Sequence, residues 1–498
     1  MHGAQHDDVR NEQVLERQLS ASQQVMMALG GAIGTGLFLA SGLAVNVAGP
    51  AVILAYVIVA VIALLLGVAL TEMAVAHPTA GAFGVYAGMY VSPFAGYAVR
   101  VSYWLMQVIA TGGQLVAASI YMGYWFPSVP GALWVLAFAV ALIFVNSRAV
   151  GELGRVEYWL VTIKVVAVAF FVALGVLVLA GGRDEPAVGM GNLTGHGGFM
   201  PFGITGVWLG CCFVIYSFIG VEIVGVTSGE ASDPGRTIPR AMRRMVVGLS
   251  LIYVVTVTLL VALTPWNQLG IGESPFVSVL RRLAIPGAAG VMNAVVLLAA
   301  LSSANANIYL IARTLFSLAR AGFVPRRLGA VNGRGAPVAA LLVSSAGLAV
   351  AVVVRAFWPQ SAYVWFFGAA LFGALFVWLM IFVTHIAFRA PRLPMASCIG
   401  AVSIAAILAS TWWVSDLRAT ILAGGPWMLL LAIGYRLSRA SVRRRAENTS
   451  RIIAVLIGLT AIASQASAPD RGHGGNGMTP GNGATETSRT TVFICLLR

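Results

Sequence analysis

The chain has 498 residues, of which 59% are hydrophobic and 10% charged, with a mean hydropathy of +0.88 and a formal charge of +14. Soluble domains carry roughly 25% charged residues, so a soluble globular fold is excluded and an integral membrane protein is expected. The basic surplus is scattered through short connections with no aromatic-interleaved basic face, which argues against nucleic-acid binding.

Met1 to Gln24 is polar and lacks the apolar core of a signal peptide, so the first apolar segment is expected to stay in the membrane. That segment, Val25 to Gly42, carries Gly31, Gly34 and Gly36. Each glycine costs about 1 kcal/mol against alanine in a helix interior, so unwinding around Gly34-Thr35-Gly36 is cheap. The backbone groups freed by such a break cannot face lipid and must line a polar cavity or bind a ligand. Packing of small residues against another helix is the competing reading. A dinucleotide fingerprint is not, because the order is GxxGxG and no strand precedes it.

Apolar runs bounded by charge, glycine or proline predict twelve spans, near 25–44, 50–74, 95–125, 131–147, 156–180, 206–229, 241–263, 287–318, 337–356, 362–387, 396–414 and 420–437. Each is long enough to cross, or nearly cross, about 30 Å of hydrocarbon. With the N-terminus inside, the inner connections collect Arg148, Arg155, Arg236, Arg240, Arg243, Arg244, Arg320, Arg326, Arg327, Arg334, Arg389 and Arg392, and the outer ones only Arg183, Arg281, Arg282, Arg355 and Arg418. The positive-inside rule therefore predicts a multi-pass protein of the cytoplasmic membrane with both termini cytoplasmic. Past Asn448 a short apolar piece, Ile452 to Ile462, is too short to span, and the Gly/Ser/Thr/Asn-rich remainder reads as a disordered tail.

The sixth span is interrupted too. Tyr216-Ser-Phe-Ile-Gly-Val-Glu-Ile-Val-Gly225 places Gly220, Gly225 and the acidic Glu222 at membrane depth. Broken first and sixth helices are what a five-plus-five inverted repeat predicts, with a binding site near the midplane between the breaks. The expected organisation is a cytoplasmic segment 1–24, a first repeat 25–181, a second repeat 182–387, two further helices in 388–440, and a basic, then disordered tail 441–498.

Lys164, in the fifth span, is the only lysine in a chain whose other basic side chains of this kind are all arginine. Arginine does not give up its proton, whereas a buried lysine can load and release one. Snorkelling to the inner surface is the alternative. Glu222 is read as a second proton-coupling candidate or as a cap inside the break, and Glu72 as a structural hydrogen-bonding residue. Phe218 is placed to close over a ligand or to pack. Ser302, Ser303, Asn305 and Asn307 can line a cavity or bond between helices. Four cysteines and six histidines show no metal or disulfide spacing. No cofactor or metal is expected, and the spans offer too few convergent acid, base or nucleophilic groups for an enzyme.

Taken together, Gly31-Ala-Ile-Gly-Thr-Gly-Leu-Phe38, Ala48-Gly-Pro-Ala-Val-Ile-Leu-Ala-Tyr56, Ile163-Lys-Val165, Ser217-Phe-Ile-Gly-Val-Glu222, Glu230-Ala-Ser-Asp-Pro234 and Pro265-Trp-Asn-Gln268 resemble the amino acid permeases of the amino acid–polyamine–organocation superfamily, bacterial amino acid transporter branch. The Ile120-Tyr-Met-Gly-Tyr-Trp-Phe-Pro127 stretch is most similar to proline-type permeases, with γ-aminobutyrate and aromatic permeases behind. The resemblance implies an all-α, LeuT-like fold and secondary active import of an amino acid by proton symport, with exchange on the same fold and substrate sensing as alternatives. By position, the amides of Gly34, Thr35 and Gly36 would take the substrate carboxylate. Carbonyls near Ile33 and in the Ser217–Gly220 break would take its ammonium. Phe218 would be an aromatic gate, and the proton on Lys164 would replace the cation of sodium-driven relatives. Gln114 stands where many relatives have an acidic residue, so a neutral amino acid is expected over a cationic one.

Overall fold

The computed structural model describes residue 25 and residues 29–438, apart from 80, 149, 182–188, 232, 271 and 331–336. The expected N-terminal segment 1–24 and tail 441–498, and with them Arg183 and Arg334, lie outside the described residues. The elements are helices: α1 (residues 29–48), α2 (Val52–Ala76), α3 (Ala82–Tyr90), α4 (Pro93–Met122), α5 (Gly131–Arg148), α6 (Val150–Ala180), α7 (Gly203–Ser217), α8 (Ile223–Val226), α9 (Pro234–Leu263), α10 (Pro275–Arg282), α11 (Ala288–Arg320), α12 (Val338–Phe357), α13 (Ala362–Arg389), α14 (Met395–Ser410) and α15 (Ser415–Ser438).

Among the described residues, nine helical stretches are long and apolar enough to span, and two shorter apolar helices, α5 and α7, join them. The first of the nine runs from Leu29 to Ala76. It holds two spans, because Gly49 at φ +62° turns the chain between α1 and α2. The twelve predicted spans are thus all occupied. The short helices α3 and α10, of 9 and 8 residues, escape a reading based on apolar runs because neither is long enough to cross.

Side-chain periodicity explains which faces meet lipid. On α2, Leu54, Val57, Val61, Leu64 and Val68 are exposed at helical spacing, while Tyr56, Val59, Ala63, Leu66 and Leu70 are buried. An exposed apolar stripe of this kind is stable only against hydrocarbon. The third span, α4, is enclosed instead: 83% of its most apolar window is buried, against 28% for α12 and α15. It carries Gln107, Thr111, Gln114 and Ser119 in the interior.

Spans pair across the sequence: α1 packs on α7, α2 on α9, α4 on α11 and α5 on α12. These are the first, second, third and fourth spans against the sixth, seventh, eighth and ninth. At one end of the bundle, Glu72 of α2 is held by Nε2 of His385 at 2.7 Å and by Nε of Arg389 at 2.7 Å, and Nδ1 of His385 meets Ser397 Oγ at 2.7 Å. Glu72 therefore ties α2 and α13 together, with α14 reached through His385.

Candidate functional site

The α1 ladder fails where the glycines are. Residues 33 and 34 leave the helix, Gly34 donates its amide to Ala32 O at 3.0 Å, and the chain resumes at Gly36–Ala40 as a π-helical turn. A π turn inside an α-helix leaves the regular bonding pattern and is frequent at functional sites. Four carbonyls on this stretch are met by side chains from elsewhere. Lys164 Nζ donates to Gly30 O at 2.9 Å, and Ser303 Oγ lies 3.1 Å from Gly30 O and 3.3 Å from Ile33 O. Tyr253 donates its hydroxyl to Ala32 O at 3.1 Å, and Tyr363 donates to Thr35 O at 3.3 Å.

The second break follows α7. Ser217 ends the helix and Gly220 takes φ +113°, a region closed to side chains of ordinary residues. Glu222 reaches back to accept the Gly220 amide on both carboxylate oxygens, at 3.1 and 3.0 Å, and accepts Trp378 Nε1 at 3.3 Å. Glu222 is buried, so these donors replace the water it has lost.

The two breaks touch backbone to backbone. A Cβ added to Gly36 would stand 2.7 Å from Ser217 Cα, and one added to Gly220 would stand 3.0 Å from the Ala32 nitrogen. Tyr253 also donates to Ser217 O at 2.9 Å, so one hydroxyl bridges both.

Between them lies a cavity of about 30 Å³, bounded by backbone of both breaks and by Gln107, Gln114, Tyr216, Ile219 and Asn307. Among the described residues its lining carries no charged side chain. Asn307 Nδ2 donates to Gln114 Oε1 at 3.3 Å, and Gln107 Nε2 to the Tyr103 hydroxyl at 3.1 Å. The remaining amide oxygens and N–H groups can serve a ligand. Among the described residues Thr35 Oγ1 is buried without a hydrogen-bond partner.

Of the residues singled out in the sequence, Gly34, Thr35, Gly36 and Gly220 line the cavity, and Ile33 is adjacent, with its carbonyl on Ser303. Lys164 is fully buried, so it does not snorkel. It sits behind the first break on Gly30 O and Ser303 Oγ. Ser217 lies at the contact between breaks, not on the cavity wall. Phe218 is also off the wall: its ring is fully buried against Tyr253, 5.2 Å away edge-on, and Tyr56 at 6.5 Å. The aromatic side chain on the wall is Tyr216. In the eighth span, Ser303 and Asn307, four apart on one helix face, reach the site, while Asn305 bonds Asn146 of α5 at 2.8 Å.

The amino acid permease family matches residues 23–447. The chain belongs to that family. It is 35% identical over 442 residues to the uncharacterized amino acid permease YtnA of Bacillus subtilis strain 168, covering 86% of this chain and 96% of that one. The aromatic amino acid transport protein AroP of Escherichia coli K12 is 34% identical over 448 residues, 87% of this chain and 97% of AroP. The uncharacterized permease YvbW of Bacillus subtilis strain 168 is 37% identical over 383 residues, 76% of this chain and 85% of YvbW. For this permease the broken helices are therefore part of a fold whose family handles amino acids.

Proposed function

We propose that this permease imports an amino acid with an uncharged side chain across the cytoplasmic membrane, driven by a proton carried on Lys164. The observation that carries the reading is the bond from Lys164 Nζ to Gly30 O, with Ser303 Oγ shared between Gly30 O and Ile33 O. An ammonium in that place holds the first break in one geometry. A neutral amine donates one hydrogen fewer and binds a carbonyl more weakly. Loading the proton thus favours the geometry that receives substrate, and releasing it favours letting go.

In this scheme the amides at the start of the half-helix from Gly36, with Thr35 Oγ1, take the substrate carboxylate at the positive end of the helix dipole. The Gly34 amide is already used on Ala32 O, so Thr35 and Gly36 carry most of that contact. Carbonyls at Ile33 and in the second break take the ammonium. Tyr216 closes the aromatic side of the site in place of Phe218, and Glu222 holds the second break open. The uncharged lining supports a neutral substrate side chain, and the relative named for aromatic amino acid transport puts aromatic amino acids beside proline at the head of a test panel. The pairing of spans supports reading 25–181 and 182–387 as two inverted copies, and the arginine distribution supports both termini in the cytoplasm.

The test is uptake of labelled phenylalanine and proline into proteoliposomes with and without an imposed pH gradient, acidic outside. Accumulation that rises with the gradient, and a loss of that rise in Lys164→Gln, are expected. Uptake indifferent to the gradient sinks proton symport and leaves exchange.

A further inference from the structure

Helix α9 begins with arginines and continues as a membrane span, and both parts share one exposed face. Arg236, Arg240, Arg243 and Arg244 are exposed, and so are Val247, Leu251 and Val255 further along. Steps of three and four residues keep these side chains on one side of a helix. The opposite side is buried and packs on α2, where Met242 and Val246 lie over Gly67. A basic stripe therefore runs without interruption into an apolar stripe that meets hydrocarbon.

Orienting a span in the membrane asks only for basic residues near one end of it. It does not ask that they share a face or that they stand clear of carboxylates. Here Asp233 lies 3.9 Å from Arg236, with both side chains largely exposed. None of the ion pairs among the described residues involves Arg240, Arg243 or Arg244. Those three lie within five residues, and each guanidinium offers a fork of N–H donors that matches phosphate oxygens. One turn beyond Arg244 stands Gly248, where an added Cβ would meet no heavy atom within 4 Å. The missing side chain leaves a notch in the face between Val247 and Leu251. From Arg244 to Val255 the helix advances about 16 Å at 1.5 Å per residue, which matches one leaflet of a hydrocarbon core about 30 Å thick.

We propose that this face of α9 is a binding site for an anionic phospholipid of the adjoining leaflet. Arg240, Arg243 and Arg244 take the phosphodiester, and an acyl chain lies in the notch at Gly248 and along Leu251 and Val255. A headgroup with net negative charge is favoured, because the ammonium of a zwitterionic one is repelled by the same arginines. The buried side of this helix carries Tyr253, whose hydroxyl serves Ala32 O and Ser217 O. A lipid seated on α9 thus anchors, at the level of the headgroups, the helix that joins the two breaks.

The full-length chain, stripped of lipid in detergent, is titrated with dioleoyl phosphatidylglycerol or dioleoyl phosphatidylcholine, and bound lipid is counted by native mass spectrometry. A preference for phosphatidylglycerol of about tenfold or more is expected. The triple variant Arg240→Gln, Arg243→Gln, Arg244→Gln should lose it. A control that removes the same charge from other exposed arginines, Arg326→Gln, Arg327→Gln, Arg392→Gln, should keep it. Gly248→Leu retains every charge and has open space around it, so it reports on the site independently of any effect of charge on insertion. It is expected to weaken phosphatidylglycerol binding about threefold by filling the notch, roughly the loss of one buried methylene. Equal binding of the two lipids, equal losses in the two triple variants, or unchanged binding in Gly248→Leu each overturns the site. Displacement of phosphatidylglycerol by inorganic phosphate, but not by chloride at the same ionic strength, overturns it as well, because the arginines then serve free phosphate.

Discussion

At the first break the carbonyls of Gly30, Ala32, Ile33 and Thr35 are met by Lys164, Tyr253, Ser303 and Tyr363, side chains from four other spans. At the second, the amide of Gly220 is met by Glu222, two residues along the same chain, with Trp378 on Glu222 and Tyr253 on Ser217 O as the outside contributions. One interruption is wired to the rest of the bundle and the other largely caps itself. A break whose geometry depends on distant groups can report their state, protonation included. A break capped mainly from within its own segment depends less on distant groups, and in the proposed scheme it would serve as the fixed jaw.

The comparison can be broken in four places. Gly36→Val removes the close approach on which both breaks depend. Overpacking of this kind costs about 1–3 kcal/mol or more, and uptake is expected to fall below detection while the protein still inserts and runs as a single species in detergent. Lys164→Gln leaves a donor but no charge. Charged hydrogen bonds contribute about 1.5–3 kcal/mol, so uptake at an imposed gradient is expected to fall roughly thirtyfold, to the rate seen without the gradient. Glu222→Gln keeps an acceptor for Gly220, and a loss of about 1 kcal/mol lowers uptake roughly fivefold. The position of its pH profile should be that of the unaltered chain. A shifted profile there would move the proton to the second break and reverse the roles of the two jaws. Tyr363→Phe removes one neutral hydrogen bond at the first break, about 0.5–1.5 kcal/mol, and uptake assays are expected to register about a threefold loss with the gradient response intact.

Much of this was legible from the chain. Glycines inside an apolar run, a lone lysine and an acidic residue at membrane depth are each costly in lipid, so each announces itself without a structure. Orientation was less legible. In an unwound turn no helical period says which way a side chain points, and nothing in the string Tyr216-Ser217-Phe218 separates the ring that lines the cavity from the one packed between Tyr56 and Tyr253. Gln107, Tyr253 and Tyr363 were not legible as site residues at all. Each sits in an otherwise ordinary apolar span, and its importance comes from a carbonyl or cavity supplied by residues far away in sequence. Ser303 and Asn307 were visible as polar groups in the eighth span, but their shared face became meaningful only against the first break.

Tyr253 has one hydroxyl hydrogen and two carbonyls to serve, Ala32 O at 3.1 Å and Ser217 O at 2.9 Å. While the breaks stay together the hydrogen is shared. If they part, one carbonyl in the dry interior is left with no donor, at a cost of about 1–3 kcal/mol. In the proposed transport cycle this tie would keep the two interrupted backbones in contact while the first break responds to its distant partners. Cutting the tie with Tyr253→Phe should let the halves slip independently, and the signature would be leakage: protons crossing without amino acid, seen as acidification of liposomes that contain the protein and no substrate.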